Sequence, residues 1–278
     1  MVKRAIIFGP GGTSGAYSAG VAATFGRVKG RRHFDRGYAC SVGTYPLTFM
    51  FSGQPDVIEN TWKNHIGGNN LVDLSFMNFL TGNVMRLSYL EEIFQSDRSR
   101  LDLETLFSED PKITYVMTNA KTGKPNYFTP TKENVFRSMS ASCSIPFVSR
   151  PVNIGGSNYF DGGFSDPFPV SRAKQDGCEE IVVVINHHKD FSHVLRRRRN
   201  FGRILGLLSA HRPVLASKLW GYADNTCRVL DALENDPSIR VIRPDGPTAM
   251  LSNFDVNLDN ISKTFDRGVE DAYKFLRE

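Results

Sequence analysis

The stretch "RAIIFGPGGTSGAYSAGV" at 4–21 constrains the fold more than any other part of the chain. A short β-branched run stops at Gly9, a glycine-rich loop follows, and a helical pattern over 14–25 opens directly behind it. That order sets several backbone N–H groups at a helix N-terminus, which makes the loop an anion site. Three uses compete: a phosphate or dinucleotide cradle, an oxyanion hole, and a turn that needs glycine only for its backbone angles. No Lys-Ser/Thr pair follows the glycines, as a P-loop requires, and Ser14 stands in "GGTSG" instead. A dinucleotide fold would close its second strand with an acidic residue, whereas Asp35 precedes that strand and Ser41 ends it. The oxyanion hole is the favoured use, because Gly11 and Gly12 present unencumbered amides while Pro10 has none to offer.

Three further runs, at 37–41, 112–119 and 179–186, are apolar on both faces and predict a buried, largely parallel sheet. Helical patterns at 43–51, 56–63, 131–140 and 258–276 alternate with them, which is the α/β signature. No stretch reads as a linker, so the 278 residues predict one domain over 1–278. Hydrophobic residues at 40% and charged residues at 23% exclude a disordered or fibrous chain. The first apolar run after "MVKR" is too short for a secretory leader and no later run reaches bilayer length, so a cytoplasmic protein is expected. The four cysteines, Cys40, Cys143, Cys178 and Cys227, lie far apart without a C-x-x-C pair, and core thiols are expected rather than a zinc site or disulfides. No metal and no cofactor is expected. The sequence leaves the oligomeric state open.

"ACSVGTY" at 39–45 is one residue from the nucleophile-elbow pattern G-x-S-x-G, with Ala39 in place of the first glycine. Crowding in that turn requires a small residue at 39 and 43, and alanine meets the requirement beside Gly43. A [Gly/Ala]-x-Ser-x-Gly pattern arises by chance in roughly one chain in five of this length, so Ser41 needs partners before it can be read as reactive. Its position supplies a first one. Two successive strand ends, one with paired glycines and one with a small-flanked serine, would meet at one sheet edge.

Two bases are open. Asp161 in "NYFDGGFSDPFPV" is delivered by an apolar segment and followed by Gly162 and Gly163, although Asp-Gly is also an ordinary hairpin signal. His187 or His188 in "VVVINHHKD" would instead complete the chain order Ser, Asp, His of a triad esterase.

Together "PGGTSGAYSAGV", "ACSVG", "SMSASCSIPF" and "DGGFSDPFPV" resemble, in order and spacing, four blocks of the patatin-like phospholipases. The resemblance runs over almost the whole chain, with 9–52 and 134–170 its specific part. It implies a three-layer α/β sandwich around a mostly parallel sheet, and an acyl hydrolase of phospholipid or lysophospholipid type. It also implies a Ser41–Asp161 dyad, an oxyanion hole from the amides of Gly11, Gly12 and Thr13, motif glycines at Gly15, Gly43, Gly162 and Gly163, and no role for either histidine. The chain departs from the family pattern at Pro10 for the first loop glycine, Ser14 for a basic residue, Ala39 in the elbow, and Pro167 where many relatives carry asparagine. A relative that kept the fold and binds lipid without catalysis is the alternative these departures raise.

The net charge of +5 is less informative than its placement. "VLRRRRNFGRILGLLSAH" at 194–211 sets Phe201, Ile204, Leu205 and Leu208 at helical spacing with Arg196–Arg199 and Arg203 at one end. It reads either as a core-packed helix with a solvated basic cap or as a peripheral contact with an anionic membrane. No nucleic-acid-binding motif is present, and nucleic acid is not an expected partner. Trp62, Trp220, Phe76, Phe79 and Phe94 read as core, and 65–98 as a segment able to cap the pocket. Cys40 is expected to point away from the site as a core thiol, and Ser140 and Ser142 to hydrogen-bond local backbone near it.

Overall fold

The computed structural model describes residues 2–68, 71–72, 84–97, 99–108, 112–250 and 252–278, with the side chains of 198 and 208 left aside. Its strands and helices, in chain order, begin with β1 (Lys3–Phe8), α1 (Ala16–Lys29), β2 (Arg36–Cys40), α2 (Thr44–Phe51), α3 (Pro55–Asn64), α4 (Leu87–Gln95) and α5 (Leu103–Leu106). They continue with β3 (Ile113–Asn119), β4 (Pro125–Phe128), α6 (Val135–Ser142), β5 (Val152–Ile154), β6 (Ser157–Asp161) and α7 (Val170–Gln175). The last third holds β7 (Cys178–Val184), α8 (Phe191–Leu208), α9 (Pro213–Glu234), β8 (Ile239–Ile242) and α10 (Leu258–Arg277).

The strands form one sheet in the order β5-β6-β3-β2-β1-β7-β8, with β4 also paired to β3. The four runs predicted as strands are β1, β2, β3 and β7, and all of their mutual pairings are parallel. β4, β5 and β6 add antiparallel pairings at one side, so the sheet is mostly rather than wholly parallel. Side chains alternate along β1: Ile6 and Phe8 enter one apolar cluster with α1, α2 and α10, while Ala5 and Ile7 enter another with Ala173 of α7 and Leu230 of α9. Two cores on opposite faces of one sheet make the three layers of an α/β sandwich.

Close helix contacts hold the first layer. A Cβ built on Gly20 of α1 would lie 2.1 Å from the Phe265 carbonyl of α10, and one on Gly268 of α10 would lie 2.2 Å from the Tyr17 carbonyl of α1. The two backbones touch where neither residue has a side chain. Beside this contact the Tyr17 hydroxyl donates to Asp271 at 2.9 Å, so the C-terminal helix is pinned to the helix behind the glycine loop.

Two sequence expectations are corrected. The helix expected near 194–211 is α8, which ends at Leu208 and turns into α9, a 22-residue helix that the sequence reading did not separate. Trp220, expected in the core, is 47% exposed on α9. Trp62 and Phe94 are buried as expected, whereas Phe76 and Phe79 lie outside the described residues, as does part of 65–98.

Candidate active site

Strand registers bring the candidate residues together. In the parallel β1–β2 pair Phe8 lies opposite Ala39, so the chain leaves the sheet side by side into the glycine loop and into Ser41. β2 covers β3 as far as Val116, which faces Cys40, and the antiparallel β6 takes over with Asp161 opposite Met117. β4 pairs with the same β3 residues from the other side, so β2 and β6 share one edge of β3 end to end. The Ser41 and Asp161 positions are therefore adjacent although 120 residues separate them.

Ser41 Oγ donates to Asp161 Oδ2 at 2.6 Å, and both residues are 4% exposed. Ser41 has φ of 54°, a left-handed conformation that costs a non-glycine residue roughly 1–3 kcal/mol and swings the side chain out of the strand direction. Its N–H donates to Ser142 Oγ at 2.9 Å, and that hydroxyl donates in turn to the Val116 carbonyl at 2.7 Å. Thr44 closes the turn by donating to the Ser41 carbonyl at 2.8 Å. Gly43 packs where a Cβ would sit 2.5 Å from the Phe8 carbonyl, and Gly15 where one would sit 2.5 Å from Val42. Ala39 is fully buried in the core, so its methyl has been accommodated in the elbow.

Asp161 accepts a second hydrogen bond at Oδ1, from the Gly163 N–H at 2.8 Å. Burial pushes its carboxyl up to about 6, against the pull of the Ser41 and Gly163 donors. Gly162 leaves no space for a side chain, since a Cβ there would meet the Val116 carbonyl at 2.2 Å. Pro10 packs on Gly163, which ties the first loop to the aspartate turn. Cys40 is a buried thiol as expected, held high by burial, but it does not point away from the site: its Sγ faces Asp161 Oδ1 at 4.0 Å, because β2 and β6 abut on one edge of β3. Ser140 bonds the Glu91 side chain at 2.5 Å rather than backbone.

Gly12 has φ of 56° and lies so near Asn253 that a Cβ would sit 2.1 Å from the Asn253 carbonyl. That carbonyl accepts the Thr13 N–H at 2.9 Å, so of the three amides expected to serve one anion, Thr13's is engaged. Two asparagines that the sequence reading passed over hold this loop. Asn186, just past β7, donates from Nδ2 to the carbonyls of Gly9 and Pro10 at 3.1 Å each, and its Oδ1 accepts from Ser18. Asn253 Oδ1 accepts from Ser14 Oγ at 3.2 Å and lies 2.8 Å from His187 Nε2, which therefore carries the proton. Ser14, at the position of the missing basic residue, is thus anchored to a loop 239 residues away.

His187 is stacked on Phe191 with ring centroids 3.7 Å apart, and burial lowers its pKa to about 4. His188 Nδ1 lies 3.8 Å from Asp190. Neither histidine hydrogen-bonds Ser41 or Asp161.

A slot of about 30 Å³ opens from Ser41 between Gly12, Tyr45, Trp62, Leu90 and Ile145, with an almost wholly apolar wall. That is room for about one water molecule, so any longer occupant must displace side chains. Ile66, Leu71, Met85 and Leu90 supply the wall from the stretch expected to cap the pocket. Among the described residues no three His, Cys, Asp or Glu side chains form a group able to hold a metal ion.

A family model described as patatin-like phospholipase matches residues 6–174. The chain belongs to the patatin-like phospholipase family. Among its relatives is the uncharacterized protein YjjU of Escherichia coli (strain K12), 31% identical over 187 residues that make up 66% of this chain and 51% of that protein. The chain thus spans about half the length of the curated relative it matches. Among solved structures it is similar to VipD from Legionella pneumophila, with a TM-score of 0.49 and 10% identity over all of this chain and 67% of that one. The patatin-like match ends at residue 174, so Asn186, His187 and Asn253, which brace the glycine loop, lie beyond it.

Proposed function

We propose that this patatin-like protein is a serine acyl hydrolase that cleaves lipid acyl esters with Ser41 as nucleophile and Asp161 as its base. The 2.6 Å hydrogen bond from Ser41 Oγ to Asp161 Oδ2, at the mouth of an apolar slot, carries this reading. Ser41 Oγ attacks the ester carbonyl carbon while its proton passes to Asp161 Oδ2, and the carbonyl oxygen becomes an oxyanion. The Gly11 and Gly12 amides are its donors in this scheme. As the tetrahedral intermediate collapses, the C–O bond to the alcohol breaks and Asp161 returns the proton to the leaving oxygen. Water then adds to the acyl-Ser41 ester, giving its proton to Asp161, and the fatty acid leaves as Ser41 recovers its proton. A carboxylate with an ordinary pKa would be a weak base for this, and the shift to about 6 brings Asp161 nearer to neutral pH.

The acyl chain occupies the slot, and the side chains of Ile66, Leu71, Met85 and Leu90 along its wall give way to admit it. The protein also docks on an anionic bilayer through α8 and α9, next to the site. Phe201 is 67% exposed, Ile204 and Leu207 follow at three-residue spacing, and Trp220 lies exposed on α9. Arg197 and Arg199 are exposed on the same helix, while Arg196 and Arg203 pair with Asp231 and Asp224 of α9. These exposures favour membrane contact over the core-packed reading. On the other side of α9, the Tyr222 ring packs at a tilt against Phe164, three residues after Asp161, with centroids 5.0 Å apart.

A fluorophosphonate probe and a p-nitrophenyl ester assay test the dyad. Wild-type protein is expected to be labelled at Ser41, and Ser41→Ala and Asp161→Asn to lose at least about 1,000-fold in rate. His187→Ala and His188→Ala are expected to keep activity within about tenfold. Full activity in Asp161→Asn would rule out the dyad, and absence of labelling beside a reactive control hydrolase would mark a binding protein without catalysis.

A further inference from the structure

A second hollow adjoins the apolar slot, and the two share Met85 as a common wall. It encloses about 610 Å³, and Arg86, Arg137 and Arg150 line it together with Ser88, Glu91 and Ser140. The arginines come from three separate places: the residue before α4, the first turn of α6, and the loop before β5. All three are solvent-exposed, and a guanidinium stays protonated at any working pH. Among the described residues of the lining the one carboxylate is Glu91, which accepts from Ser140. Arg137 is oriented along the wall by its Nε, which donates to the Asn153 carbonyl at 2.7 Å.

Arginines scattered on a convex face are an ordinary solvated surface, but these converge on a concavity of ligand size. The planar fork of arginine matches the oxygens of a phosphate, and a lipid phosphate would have its acyl ester a short distance away. We infer that the hollow binds the phosphate of a headgroup while the acyl chain enters the slot at Ser41, and that its three guanidiniums repel a headgroup ammonium, which makes an anionic phospholipid the preferred substrate over a zwitterionic one. The inference rests on the acyl-hydrolase reading and adds the class of headgroup to it.

Dihexanoyl lipids kept below their micelle concentration remove any contribution from bilayer docking. Wild-type protein is expected to hydrolyse dihexanoyl phosphatidylglycerol with a kcat/KM at least about tenfold above that for dihexanoyl phosphatidylcholine. In Arg86→Gln/Arg150→Gln, and separately in Arg137→Gln, that ratio is expected to fall towards one while p-nitrophenyl butyrate turnover stays within about twofold. Equal rates on the two lipids in wild type, or an unchanged ratio in both variants, would overturn the inference. So would an equal loss on all three substrates, which would mean that the arginines only support the fold.

Isothermal titration of the full chain carrying Ser41→Ala, with and without the arginine substitutions, gives a readout that does not depend on catalysis. Dihexanoyl phosphatidylglycerol is expected to bind more tightly than inorganic phosphate, and the double arginine variant to weaken it at least about tenfold. Inorganic phosphate binding as tightly as the lipid would make the hollow a plain phosphate site and refute the headgroup assignment. Failure of p-nitrophenyl butyrate hydrolysis would sink the acyl-hydrolase reading alone, and the titration would still decide the hollow.

Discussion

At Asp161 two demands conflict. A carboxyl whose pKa is raised by burial is most favourable to the fold when protonated, so its contribution to stability falls as pH rises from the unfolded value near 4 through about 6. At neutral pH the ionised group costs roughly 2–3 kcal/mol, while the proposed mechanism needs that same ionised form. Activity is therefore expected to be flat above about pH 7 and to fall about tenfold per unit below about pH 6, in a kcat/KM profile measured on an uncharged ester. Asp161→Asn is expected to raise the thermal midpoint at pH 8 as it abolishes turnover, which calorimetry would show. Asn253 works differently, through the loop it holds. Asn253→Ala strips the partner from the Ser14 hydroxyl and from His187 Nε2, and is expected to lower kcat about tenfold with KM changed less than about threefold. A change in KM alone would argue against a role in placing the Gly11 and Gly12 amides.

Among the elements, the α1–α10 crossing gives the sharpest test of packing. Glycine to alanine in an exposed helix normally stabilises, by up to about 1 kcal/mol. At Gly268 the sign is reversed, because the added methyl would lie 2.2 Å from the Tyr17 carbonyl and the helices must separate to admit it. Gly268→Ala is expected to destabilise by about 2 kcal/mol and lower the melting midpoint by about 5 °C. Since α1 carries the glycine loop at its N-terminus, labelling by a fluorophosphonate is expected to slow in the same variant.

For the whole molecule, the hairpin of α8 and α9 is the proposed docking surface for lipid. No helix among the described residues is long and apolar enough to cross a membrane. Co-sedimentation with phosphatidylglycerol vesicles is expected to exceed that with phosphatidylcholine vesicles, and to weaken as salt rises from 0.1 to about 1 M, where screening shortens the Debye length. Phe201→Ser/Leu207→Ser is expected to reduce vesicle binding at least about fivefold while turnover of monomeric p-nitrophenyl butyrate is kept. Unchanged vesicle binding in that variant would return the helix to the core-packed reading.

The strands β1, β2, β3 and β7, the glycine loop and the small-flanked Ser41 were legible in the sequence because each depends on local rules: β-branched runs, glycine where backbones approach, and residue size in a tight turn. Four motifs in order also carried the family. The pairing of Ser41 with Asp161 rather than a histidine was left open by residue chemistry alone, since either base would serve; the registers on one edge of β3 set that carboxylate beside the serine. Nothing in "NHH" or "SNFDVN" announces that Asn186 and Asn253 brace the loop, because those hydrogen bonds span 177 and 239 residues and exist only once β7 and the chain before α10 have docked. The exposure of Trp220 and Phe201 belongs to the same class: an apolar side chain on a helix faces core or solvent according to what packs against it. Local propensity and motif chemistry therefore determined the strands, the turn and the family, while long-range register and docking decided which groups met.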